Sequence, residues 1–101
     1  MALSLKPGVL FEEIHSRIIE TLPIVDKTYL KFGFNGVITS ARDGKHMPTS
    51  LHYKGRALDL RTFFFSPLQR QEFHWELQNA LGSDFDVLLE KDHIHYEFDP
   101  P

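Results

Sequence analysis

An α+β fold, with two main helices packed on a small antiparallel sheet, follows from three patterns in the sequence. Apolar residues recur at helical spacing in two stretches, β-branched or alternating runs occupy several others, and Gly, Pro, Asn and Asp separate them. The 101 residues are 42% hydrophobic and include nine Phe. That is enough large side chain to fill one core, and it predicts a single domain over residues 1–101.

The first helix is predicted after Pro7 and Gly8, where Phe11, Ile14, Ile18 and Leu22 share one face, and it is expected to end before Pro23. Residues 24–32 read as a second short helix, and Phe34-Asn35-Gly36 as the turn into a strand over 36–40. Residues 41–54 are polar and poor in apolar anchors, the composition of an exposed functional loop. In the next strand, 56–61, period-two alternation puts Leu58 and Leu60 on the core face and Ala57, Asp59 and Arg61 on the other.

Ser66-Pro67-Leu68-Gln69 predicts a helix start with a capping box, running to about Leu81 and followed by Gly82 in a left-handed conformation. Leu68, Phe73, Leu77, Ala80 and Leu81 are its expected buried stripe, and Trp75 and the rings at 63–65 are also read as core. Residues 85–89 and 93–98 form a predicted hairpin joined by Glu90-Lys91-Asp92. Its second strand places Ile94, Tyr96 and Phe98 on one face and His93, His95 and Glu97 on the other.

Composition narrows the chemistry. Without cysteine there is no disulfide, thiolate ligand or cysteine nucleophile, so a metal would be held by His, Asp or Glu. The net charge is −3 and the basic residues are scattered, which argues against a nucleic-acid partner. The N-terminal stretch has neither a secretory signal pattern nor an apolar span, so synthesis in the cytoplasm and no membrane partner are expected.

The six histidines are the unusual feature. His52 with Asp59, the pair His93 and His95, and the acids Glu90 and Asp92 together suit a mononuclear Zn²⁺ site with three N or O ligands and an open position for water. A carboxylate beside such a site can accept the water's proton and return it to a leaving amine. Arg42 either stabilises the oxyanion, holds a substrate carboxylate, or is a solvated loop arginine. Ser50 either contacts substrate or holds the loop by bonding backbone. Glu97 either orients an imidazole or is a solvated strand-end acid. His15, His46 and His74 have no motif partners and are assigned to structure or solvent.

The pattern Ser50-x-His52-x-x-Gly55-x-Ala57-x-Asp59, followed by Asp92-His93-Ile94-His95, resembles the zinc D-Ala-D-Ala carboxypeptidase family. That family includes phage L-alanyl-D-glutamate endolysins and is related to the hedgehog domain. The resemblance covers about residues 38–98. It implies a hedgehog-like fold, zinc on His52, Asp59 and His95, His93 beside the metal, Asp92 as catalytic acid with Glu90 as its competitor, and Arg42 in contact with the scissile carbonyl or the substrate. It also implies a peptidoglycan peptide substrate cut at an L-alanyl-D-glutamate or D-Ala-D-Ala bond, action at the bacterial wall, and a phage or prophage setting. A zinc-binding or virion structural module without turnover is the other class the resemblance contains. A monomer or small homo-oligomer is expected.

Overall fold

The computed structural model describes residues 2–44 and 46–101. Its elements run β1 (Ser4–Leu5), α1 (Ser16–Lys31), β2 (Val37–Ser40), a 3-10 helix (Leu51–Lys54), β3 (Ala57–Arg61), α2 (Pro67–Leu81), β4 (Phe85–Leu89) and β5 (His93–Phe98). The strands form one sheet in the order β1-β2-β3-β5-β4. All pairings are antiparallel except β1 with β2, which makes the sheet mixed.

Both helices cover one face of the sheet. Leu58, Leu60, Ile94 and Tyr96 project from β3 and β5 into a core completed by Ile18, Val25 and Tyr29 of α1 and Phe73 and Leu77 of α2. The two tyrosine hydroxyls are satisfied inside it. Thr21 donates to the Ile18 carbonyl at 2.6 Å, which leaves its oxygen to accept from Tyr96 at 2.8 Å. Tyr29 donates to the carbonyl of Arg61 at 2.7 Å. Burial pushes both phenols up, well beyond their ordinary range. Gly36 lies directly under the Tyr29 ring, where a Cβ would come within 2.1 Å of a ring carbon.

The first helix differs from the expectation at both ends. It starts at Ser16, where the His15 ring accepts from the Arg17 amide at 3.1 Å as an N-cap. Glu13, at φ 51°, breaks the chain direction just before it, so Phe11 and Ile14 reach the core from irregular backbone. The helix then passes through Pro23 instead of ending there. An internal proline costs roughly 3 kcal/mol, but burying Ile18 and Val25 on either side of it contributes about 1.5–3 kcal/mol each. The continuous apolar face therefore wins over the breaker.

The second helix has the expected capping box, with Gln69 N donating to Ser66 Oγ and Ser66 N donating to Gln69 Oε1. Gly82 has positive φ but extended ψ (88°, −176°), so it is not left-handed helical. Leu68, Trp75 and Phe63 are exposed, at 65%, 66% and 75%, contrary to their assignment to the core. Ala80 is exposed as well. Phe73 and Leu77, with Leu81 packed against the core beyond them, fill the contact with the sheet, and Leu68, Trp75 and Ala80 lie off that stripe. No helix among the described residues is long and apolar enough to cross a membrane.

Candidate metal centre

Strand alternation places Asp59 and His95 on the sheet face away from the helices, and the register sets them directly opposite one another. His52 reaches the same point from the 3-10 helix. Ser50 caps that helix, its Oγ accepting from the His52 amide at 3.2 Å, and Gly55 ends it at φ 68°. Only glycine fits there, because a Cβ on residue 55 would lie 2.3 Å from the Glu13 carbonyl oxygen. The segment before α1 thus clamps the helix that carries His52, with His15 N donating to the Gly55 carbonyl at 2.9 Å.

His52 Nε2, His95 Nδ1 and Asp59 Oδ1 form a nearly equilateral triangle with edges of 3.1, 3.0 and 3.1 Å. His52 is 2% exposed and Asp59 8%. The far nitrogen of each imidazole is committed. His52 Nδ1 donates to the Ala41 carbonyl at 2.7 Å, and His95 Nε2 donates to the Glu97 carboxylate at 2.7 Å. These partners assign the tautomers, so each neutral ring turns a bare lone pair toward the Asp59 oxygen.

Three lone pairs converging in a buried site need a cation between them, either a proton or a metal. Zinc bonds of about 2.0–2.1 Å in a tetrahedron separate donors by about 3.3–3.4 Å. The triangle needs only a few tenths of an ångström of expansion to meet that. Without metal, protons do the work. Burial pushes the Asp59 carboxyl up, but hydrogen bonds from His52 and His95 outweigh it and hold the group far below the usual carboxylate range. Burial depresses His95, and its bonds to Asp59 and Glu97 outweigh that and raise it.

His93, two residues before His95, faces the same way. Its Nδ1 donates to Asp92 Oδ1 at 2.6 Å, and its Nε2 lies 3.6 Å from Asp59 Oδ1. Arg70 of α2 fixes the strand there by donating to the His93 carbonyl at 3.3 Å. Hydrogen bonding to His93 holds Asp92, fully exposed, below its ordinary value. Glu90 lines a cleft of about 820 Å³ together with His52, Asp59, His93 and His95, and Ser50 lines its wall. Asp92 instead lines a second cleft of about 490 Å³ that shares Asp59 and His93 with the first.

Arg42 is not brought to this point. Its guanidinium pairs with Glu13, and it lines neither cleft. The reason is local: Asp43 accepts from the amides of Ala41 and Leu10 at 2.9 Å each, which ties the start of the loop to the segment carrying Glu13.

His46, assigned to structure or solvent, belongs to the site. Its ring stacks on His52 with centroids 3.9 Å apart and planes 9° from parallel, and it lines both clefts. Its Nε2 donates to the Asp43 carbonyl at 2.8 Å. No spacing rule links His46 to His52, and only the folded loop joins them. No protein-family model matches the chain, and no curated protein matches it.

Proposed function

We propose that the protein is a zinc-dependent peptidase that hydrolyses an amide bond in bacterial peptidoglycan peptides. The observation that carries this reading is the triangle of His52, Asp59 and His95 lone pairs, each imidazole locked in a ligating tautomer by a partner on its far side. The substrate class rests on the resemblance of the Ser50-to-His95 pattern to zinc peptidases of the wall, including those cutting L-alanyl-D-glutamate and D-Ala-D-Ala bonds.

Zinc bound here supplies Lewis acidity and lowers the pKa of a coordinated water. The chain supplies the rest. Ala41 and Glu97 hold the ligand rings in place, and the stacked His46 keeps His52 from rotating. Asp92 orients His93 so that its Nε2 faces the centre and can take up a proton there. Glu90 is the second proton acceptor within the same cleft. The two clefts meet at Asp59 and His93, which leaves room for peptide on both sides of the centre.

Elemental analysis of purified protein, run beside amine release from purified peptidoglycan, tests the reading. About one zinc per chain is expected, with hydrolysis lost in H52A and in either D92A or E90A. Zinc without hydrolysis would instead be the behaviour of a binding module, and no zinc would overturn the centre itself.

A further inference from the structure

The open face of the sheet is graded in charge across its rows. Lys6 follows β1, its amide donating to the Ile38 carbonyl, and with Thr39, Arg61 and His93 it lines the smaller cleft. Asp59 and His95 come next. Beyond them stand Glu97 and Asp99, which with Glu90 line the larger cleft, where none of the described residues is Lys or Arg.

From this gradient we infer that Lys6 and Arg61 form a subsite for a carboxylate of the peptide substrate, a role that rests on the peptidase reading above. None of the ion pairs among the described residues involves Lys6 or Arg61. The carboxylates sharing their cleft are already engaged: Asp43 by two backbone amides, Asp92 by His93, and Asp59 by His52 and His95. The Arg61 guanidinium is steadied instead by the Phe63 ring, 5.3 Å from its centroid. Two cations with no carboxylate partner among the described residues, lining a cleft that reaches the centre, leave their N–H donors to a ligand.

The spacing sets which carboxylate. Arg61 and Asp59 are two residues apart on one strand, about 6.5 Å along it. An extended peptide covers that in about two residues, so the recognised carboxylate lies one or two residues from the bond at the centre. The acidic far end repels the same group, so the gradient also fixes the direction in which the peptide lies.

The test is calorimetric binding of the stem pentapeptide L-Ala-γ-D-Glu-L-Lys-D-Ala-D-Ala to zinc-free protein, where nothing is hydrolysed. The same peptide is compared with its D-Glu α-amide and with its C-terminal amide. One of the two amides is expected to bind about tenfold more weakly than the free acid. Arg61→Ala should erase that difference, Lys6→Ala should reduce it, and Arg61→Lys should restore most of it. Equal binding of all three peptides, or a preference unchanged in Arg61→Ala, would overturn the subsite. A preference that holds while the zinc-loaded protein cleaves none of the peptides would retain the subsite and remove the peptidase.

Discussion

The two faces of the sheet are built from the same strands and obey opposite rules. Toward the helices, Leu58, Leu60, Ile94 and Tyr96 are wholly buried and mostly hydrocarbon. Toward the cleft, the intervening Asp59, Arg61, His93 and His95 carry charge or lone pairs, Asp59 buried and the other three partly accessible. Because the side-chain period of a strand is two, a one-residue slip between β3 and β5 would destroy both faces at once. The hydrophobic effect on one side thus supplies the positional accuracy of the ligands on the other.

The sharpest way to break the comparison is a change confined to the open face. D59N keeps the shape of the side chain and removes its charge. It should lose stoichiometric zinc and hydrolysis. In zinc-free protein it should lower the urea midpoint by the loss of the charge that His52 and His95 bond to, while the transition stays cooperative. Loss of a cooperative transition would show that the faces are not separable. The converse is L60A, expected to cost about 2–5 kcal/mol of stability through cavity formation, read by denaturation, with zinc still bound by the folded fraction. E97Q retains an acceptor for His95 but not its charge, and zinc affinity should fall about 10–100-fold in a chelator competition. H46A removes a stacking partner worth about 0.5–1.5 kcal/mol, so zinc affinity should fall about fivefold.

The smallest effect is one of pH. In zinc-free protein the raised His95 contributes stability that is full below about pH 6.5, its unfolded value, and is lost as pH rises through the higher folded value. Thermal melts should therefore weaken from mildly acidic to alkaline pH without zinc. With zinc the trend reverses, because ligation requires deprotonated imidazoles.

Much of this was legible because the signals are local. The capping box at Ser66 and Gln69, the alternation around Asp59 and the hairpin at 85–98 are each written within a few residues. His52, Asp59 and the pair His93 and His95 were readable together from residue type and strand alternation, and the choice of His95 over His93 came from the resemblance. What failed was settled by distant contacts. Pro23 was tolerated because both halves of α1 bury the same face, Arg42 was drawn away by Glu13, and His46 joined the site through the loop anchored at Asp43. Trp75 and Leu68 misled because hydrophobicity alone does not say which apolar positions of a helix meet the sheet.

Gly36 gives the two faces a common point of failure. A single added methyl there would strike the Tyr29 ring, and the hydroxyl of that ring holds the backbone of Arg61. A lesion on the covered side would so be felt at the mouth of the cleft, with no residue of the cleft altered. In a screen for lost function, position 36 would score with the site although it touches none of it.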